Sequence, residues 1–380
     1  MKYRKFGGLD WEASVLGFGA MRLPLVTHDS SRVDEPEAIA MIRHAIDAGV
    51  NYIDTAYTYH GQQGERVVGR ALQNGYREKV KVATKLPPWL VESPDDIDRL
   101  LDEQLDKLQT DHIDFYLLHA LNATRWPKLR DWGVLNWAEG AVADGRIDHL
   151  GFSFHDRFDV LKEIVDVYDH WTFCQIQYNF MDIDYQPGIE GLRYAAAKGL
   201  AVVIMEPLRG GQLTGKVPPS VERLWEGAAV RRTPADWALQ WIWNHPEVAL
   251  VLSGMSTMQH VVENLQYAEL SGAGTLSNEE LRLVDQVRGE YRRMIPVPCT
   301  SCNYCLPCPN GVEIPEIFEQ YNDAGIYADP RAPRFHYRNL EEDQKADNCV
   351  ECFECEEKCP QDIAVVEYLQ KAHALLDEKG

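Results

Sequence analysis

Eight short runs of β-branched and aromatic residues, each followed by a helical pattern, constrain this chain more than any other feature. They are Ser14–Gly19, Val50–Ala56, Val80–Lys85, Ile113–His119, Ile147–Phe154, Phe173–Asn179, Ala201–Pro207 and Ala249–Met255. Short apolar runs bounded by turn residues read as strands buried on both faces, the kind a parallel sheet uses. Between them, "EPEAIAMIRHAIDAG" sets Ile39, Ile42, Ala45 and Ile46 on one helix face and stops at Gly49. "SPDDIDRLLDEQLDKLQ" opens on Ser93 as cap, Pro94 in the first turn and acids early in the helix, with Ile97, Leu100, Leu101, Leu105 and Leu108 as its buried stripe. Eight β/α units over about 270 residues match a (β/α)8 TIM barrel in the α/β class. The competing open doubly wound sheet carries a glycine fingerprint after its first strand. "GFGAMRL" lacks the third glycine and a helix directly behind it.

The pattern fades after "STMQHVVENLQYAELSG". One more helix, "SNEELRLVDQVRGEYRRM", precedes two prolines in "IPVPC", so the expected domains are 1–294 and 295–380, divided near Ile295. The second segment holds eight of the nine cysteines, in "CTSCNYCLPCP" and "CVECFECEEKCP". The second run has the bacterial ferredoxin spacing, whose fourth cysteine ligates the other cluster. On that rule Cys349, Cys352 and Cys355 hold one [4Fe–4S] cluster with Cys308, and Cys299, Cys302 and Cys305 hold another with Cys359. The first run departs from the spacing at Cys308, which follows Cys305 by three. Two four-cysteine zinc sites are the alternative, but these normally use paired C-x2-C knuckles. "VEIPEIFEQYNDAG" between the runs reads as helix, so a small, mostly helical ferredoxin-like domain is expected.

Metal-ligand spacing and an odd cysteine count, with Cys174 alone, point to reduced thiols and a cytoplasmic location. No apolar run approaches the ~20 residues a bilayer span needs, and the first residues show no apolar stretch of a signal peptide. A formal charge of −21 argues against nucleic acid or an anionic membrane as partner. Nine carboxylates against two lysines lie between Glu341 and Asp362, either a solvated surface or a docking face for a basic redox partner such as a ferredoxin-type carrier.

In a barrel, reactive groups sit where strands end. Asp54 ends the second run, Tyr59 follows it, Lys85 ends the third and His119 ends the fourth. An ammonium beside a phenol favours the phenolate and brings the phenol's pKa down from about 10. Asp54 can hold the lysine, and His119 can donate to a substrate oxygen as negative charge develops there. This set suits proton transfer to a carbonyl oxygen.

"NYIDTAYTYHG", "ATK" and "LLH" resemble the active-site segments of the aldo-keto reductases, over roughly Lys2 to Leu270. The resemblance implies Asp54, Tyr59, Lys85 and His119 as a catalytic tetrad, Tyr59 being the general acid in reduction. It further implies nicotinamide-cofactor positions at Gly19, Ala20, Met21 and Asp54, at Ser153 in "GFSF", and at Gln175 in "CQIQYN". Met205, Glu206, Pro207 and Leu208 in "MEPLRGG", and Gly254, Ser256, His260, Glu263 and Asn264 in "SGMSTMQHVVENL", complete that set. Phe154 stands where the family usually has asparagine. Gly254 and His260 stand where NADPH-preferring members place lysine and arginine, leaving NADH and NADPH both open. Trp89, Asn122, Trp126, His155 and Phe180 follow strand ends and are candidates for the substrate pocket. The cysteine segment resembles the ferredoxin-type domain found behind the barrel in one branch of that family.

Hydride transfer moves two electrons together, whereas a cluster exchanges one at a time. Three readings therefore stay open. The first is an NAD(P)H-linked reductase of a small carbonyl substrate (or oxidant of its alcohol) whose clusters relay electrons or serve structure. The second is a ferredoxin-coupled reductase with an added flavin, for which no motif stands out. The third is a non-catalytic redox sensor or electron carrier.

Overall fold

The computed structural model describes every residue except 28, 216, 328, 379 and 380, the last three of which fall in the expected second domain. A hairpin, β1 (Tyr3–Lys5) and β2 (Glu12–Ser14), comes first. Eight parallel strands then close into a barrel: β3 (Leu16–Gly19), β4 (Tyr52–Asp54), β5 (Lys81–Leu86), β6 (Ile113–Leu121), β7 (Ile147–Phe154), β8 (Phe173–Gln177), β9 (Ala201–Met205) and β10 (Val248–Ser253), with β10 pairing back onto β3. These are the eight runs expected from sequence.

The helix signals behave as capping chemistry dictates, with one exchange of roles. Helix α1 (Glu35–Asp47) starts on Asp34, whose carboxylate accepts from Glu37 N, and ends before Gly49 at φ +99°. Helices α2 (Gly64–Ala71) and α3 (Asp95–Leu108) follow. At the start of α3 the capping runs backwards: Asp96 accepts from Ser93 N at 2.8 Å and Ser93 Oγ at 3.0 Å, because a carboxylate is the stronger acceptor. Gln104 and Lys107 are buried beside the leucine stripe of α3 because Glu65, Thr84 and Gln104 bond one another there.

The hairpin was not expected, and it fixes which barrel end can work. Its Phe6 is fully buried, with its ring 5.9 Å from Tyr52, 4.8 Å from Phe115 and 5.7 Å from Phe173. The apolar cluster around it fills the N-terminal half of the barrel. Gly7 makes the turn: its φ is +55°, and a Cβ there would sit 2.6 Å from Ala201 N. Truncating a buried phenylalanine costs about 3–5 kcal/mol. Only the C-terminal ends of the strands are left to build a site.

The described residues divide into two compact units, one of 1–207 with 236–277 and the other of 208–235 with 278–378. The first contains the barrel. The second is helical, and no strand follows β10 among the described residues. Its core of Val297, Val312, Ile317, Phe318, Tyr337 and Leu369, with their neighbours, has the flanking cysteines packed against it. Asn322 pins the entry, accepting from Val297 N at 2.9 Å and donating to Val297 O at 2.8 Å. No described helix is long and apolar enough to cross a membrane.

Candidate active site

Asp54, Lys85 and His119 stand at the C-terminal ends of β4, β5 and β6, and Tyr59 lies in the loop after β4. The structure brings all four together. Lys85 Nζ donates to Asp54 Oδ1 at 2.6 Å, to Thr55 O at 2.7 Å and to Tyr59 Oη at 3.4 Å. The Tyr59 and His119 rings lie 6.2 Å apart, edge to face. The four side chains are between 1% and 9% exposed, so their charges interact through protein rather than water.

That burial sets the protonation states. It pushes the Asp54 carboxyl up and the Lys85 ammonium down, and each partner's charge opposes the shift. His119 is held well below its ordinary value by burial, then by the Lys85, His155 and Arg125 charges. It is therefore a neutral imidazole at pH 7, with a single N–H to donate. Tyr57 is engaged elsewhere: its hydroxyl donates to Glu103 at 2.6 Å, and Lys107 lies 3.4 Å from its ring centroid. Burial, aided by Glu103, pushes the Tyr57 phenol up to about 12.

Of the expected cofactor positions, Gly19, Ser153, Gln175 and Met205 stand on barrel strands, His260, Glu263 and Asn264 on the helix Met258–Leu270, and Leu208 falls in the second unit. Gly19 ends β3, with Ala20 and Met21 in the short turn behind it. Ser153 Oγ accepts from Ala120 N at 2.7 Å. Gln175 Nε2 lies 3.7 Å from Met205 Sδ, and its buried Oε1 has no hydrogen-bond partner among the described residues. Asn179 Nδ2 holds Glu206 O at 3.0 Å, Glu206 has φ +54°, and Pro207 follows it. Asn264 is buried and donates to Ser253 Oγ at 2.8 Å. Ser256 and His260 are exposed, 3.5 Å apart, and Glu263 accepts from Gln259. Of the pocket candidates, Trp89 and His155 stand at the rim. Trp126 is packed into the core against Trp171, Phe180 is buried, and Asn122 caps the next helix by accepting from Arg125 N.

Two rim residues escaped the sequence reading. Arg22 pairs with Glu206 at 3.2 Å and packs beside Gly254. Arg125, first residue of α4 (Arg125–Asp131), donates to Ala120 O at 3.0 Å and lies 5.1 Å over the Trp89 ring. Arg22 ends a short 3-10 turn and Arg125 opens a helix directly behind a loop, where no periodicity marks a residue's direction.

In the second unit, Cys305, Cys308, Cys349, Cys352 and Cys355 line one cavity. Burial raises the Cys305 thiol, and the thiols of Cys302, Cys299 and Cys359 lie near enough to add to that rise. No three cysteine sulfurs come within 4.8 Å of one another; among the described residues only His112, Asp114 and Asp148 form so tight a group, and there Asp114 is paired with Arg77 and Lys81.

Comparison with known proteins adds the following. A model described as the aldo/keto reductase family matches residues 15–288, and one described as a 4Fe-4S dicluster domain matches residues 298–364. A probable aldo-keto reductase 1 of Glycine max is 27% identical over 296 residues, 69% of this chain and 82% of its own. The holo form of an aldo-keto reductase from Bacillus halodurans has a TM-score of 0.63 at 28% identity, covering 76% of this chain and 96% of that one. An aldo-keto reductase from Klebsiella pneumoniae, solved in complex with NADPH, has a TM-score of 0.60 at 26% identity, covering 76% and 95%.

Proposed function

The chain belongs to the aldo/keto reductase family and carries a 4Fe-4S-type segment behind its barrel, and from that premise we propose that it reduces a small carbonyl compound to an alcohol with NADH or NADPH, Tyr59 acting as general acid. The observation that carries this reading is the line of contacts from Asp54 through Lys85 to Tyr59, with His119 alongside. The NADPH-bound Klebsiella neighbour supports a nicotinamide cofactor. So do the buried oxygens Gln175 Oε1 and Glu206 Oε2, which have no hydrogen-bond partner among the described residues and suit an amide and a hydroxyl-bearing ligand.

When bound, the reduced cofactor supplies a hydride to the carbonyl carbon. Tyr59 gives its hydroxyl proton to the carbonyl oxygen, so the product is the alcohol and the phenol is left as phenolate. Lys85, kept charged by Asp54, stabilises that phenolate until solvent reprotonates it. Neutral His119 donates its N–H to the same oxygen and stabilises the charge that develops there. Gln175, Ser153 and Glu206 orient the cofactor, with Gly19, Ala20, Met21, Met205 and Pro207 beside its path and Gly254, Ser256, His260, Glu263 and Asn264 at the adenine end. Tyr59→Phe is expected to lower kcat by about 10²–10⁴-fold while leaving the cofactor Kd, read by fluorescence titration, within about threefold. Unchanged carbonyl reduction by that variant would refute the mechanism.

The second segment, divided from the first near Ile295, is read as holding two [4Fe–4S] clusters, one on Cys308, Cys349, Cys352 and Cys355 and one on Cys299, Cys302, Cys305 and Cys359. Four thiolates around one zinc at ~2.3 Å would crowd their sulfurs more closely than these thiols lie. Clusters supply and accept single electrons, which suits relay to a ferredoxin-like partner, and their thiolates suit a reducing compartment such as the cytoplasm.

A further inference from the structure

The loop that carries Tyr59 has a second polar arm, which the tetrad does not use. Directly after Tyr59, the residues His60, Gly61 and Gln62 have φ of +54°, +57° and +70°. Left-handed residues in succession turn the chain sharply. The resulting hook is tied to itself: Tyr59 N donates to Ala56 O at 3.2 Å, Gly64 N to Tyr59 O at 3.1 Å and Gln63 N to His60 O at 3.0 Å. It leaves the Tyr59 hydroxyl at Lys85 and sends the His60 ring to the loop between β3 and α1. His60 is 8% exposed.

That second loop doubles back on itself. Leu25 and Val33 bridge antiparallel, Val26 N donates to Arg32 O at 2.9 Å, and Asp34 N donates to Pro24 O at 2.7 Å. His60 touches both of its limbs. Its Nδ1 lies 2.8 Å from Ser30 O, and its Nε2 lies 3.2 Å from Leu23 N and 3.2 Å from Ala20 O. A carbonyl can only accept, so Nδ1 carries the proton and the Nε2 of a neutral ring accepts from Leu23 N. Burial holds the ring below its ordinary pKa against the pull of the two carbonyls, which keeps it neutral at pH 7. The loops also meet beside these bonds, where a Cβ on Gly61 would lie 3.0 Å from Ser31 Cβ.

We propose that His60 is a positioning residue that fixes the turn Ala20–Leu23, on the cofactor's side of the barrel mouth, to the loop that delivers the Tyr59 proton. This rests on the reductase reading, in which Ala20 and Met21 stand beside the cofactor. Hydride goes to the carbonyl carbon and the proton to the oxygen bonded to it, so their two donors need a fixed separation. Misplacing a reacting group by about 1 Å costs up to about 10²-fold in rate. His60 follows Tyr59 in the chain and bonds the amide two positions after Met21, so one peptide unit and one side chain join proton donor to cofactor turn.

The test measures the Kd of NADH and of NADPH by fluorescence titration, kcat and KM for 4-nitrobenzaldehyde at saturating cofactor, and deuterium uptake by peptides spanning residues 20–27. His60→Phe keeps a ring and loses both bonds. It is expected to weaken nucleotide binding and to lower kcat, each by about tenfold or more, with KM for the aldehyde within about threefold and faster exchange in that peptide. His60→Asn keeps a donor for Ser30 O but reaches less far toward Leu23 N, and is expected to behave alike. His60→Gln, whose longer amide extends to the place of Nε2, is expected to recover most of the loss. A side chain serving folding alone would lower the melting temperature and the number of active sites, and leave Kd and kcat per active site unchanged. Values within about threefold of wild type in both His60→Phe and His60→Asn, or a loss in His60→Gln as large as in His60→Phe, overturn the proposal and leave the reductase reading intact. Should the wild-type protein bind nucleotide without reducing this aldehyde, Kd and exchange decide in the same way. A wild-type protein that binds neither nucleotide overturns both.

Discussion

Asp54 and Lys85 are adjacent strand-end residues in the same parallel sheet, and the register that pairs Asp54 with Ala83 carries Lys85 to within 2.6 Å of it. Removing one partner of such a buried pair costs about 3–5 kcal/mol, because the other is left charged in a poor solvent. This part of the site was legible because a carboxylate, an ammonium and an imidazole at the ends of apolar strands have no reason to be there except one another. Arg125 and Arg22 were illegible because their directions are set by a loop and a short turn. His155 was flagged only by its place after a strand; its chemistry comes from being surrounded by protein, which pushes it down to about 4. Its folded value lies below the ~6.5 of an unfolded chain, so between those values the unfolded state binds more protons. Its contribution to stability is complete above pH ~6.5 and is lost as the pH falls toward 4. In histidine-labelled protein, the resonance missing from His155→Gln should titrate near pH 4; a midpoint near 6.5 would contradict the buried environment.

The stretch after β9 concentrates left-handed backbone. Glu206, Arg209, Gly210 and Gly211 all have positive φ, at 54°, 54°, 68° and 97°. From Leu208 onward the stretch belongs to the second unit, where Arg209 donates to Pro298 O at 3.4 Å and Gln212 to Cys299 O. Arg209 is only 5% exposed, and its charge opposes the rise that burial imposes on the Cys299 thiol, which stands at about 11. On the proposed ligand set, in which Cys299 holds a cluster, a buried cation beside it would favour the more negative, reduced cluster. Arg209→Gln is therefore expected to make the cluster on Cys299 harder to reduce, and Arg209→Lys to lie between it and the wild type, as read by potentiometric titration with EPR detection. An unchanged midpoint in a variant with full iron content would remove Arg209 from that role. "MEPLRGG" announced a turn through its proline and glycines, but nothing in it announced a hydrogen bond to a residue almost ninety positions away.

At the level of the whole chain, the barrel was readable from its eightfold alternation, and the cysteine segment from its spacing. Which segments pack as one body was not readable, since residues 208–235 join 278–378 through contacts that no local pattern encodes. Anaerobic purification should yield about eight iron and eight acid-labile sulfide per chain, as two [4Fe–4S] clusters require. Stoichiometric zinc without sulfide would instead return the cysteines to the zinc reading. Phe6, finally, has a consequence for traffic. Because its ring stoppers the floor of the cylinder, the vessel has a single doorway, and on the proposed reaction both product and spent cofactor leave by the way their precursors came in. Arrivals and departures would then share one path and have to queue for it.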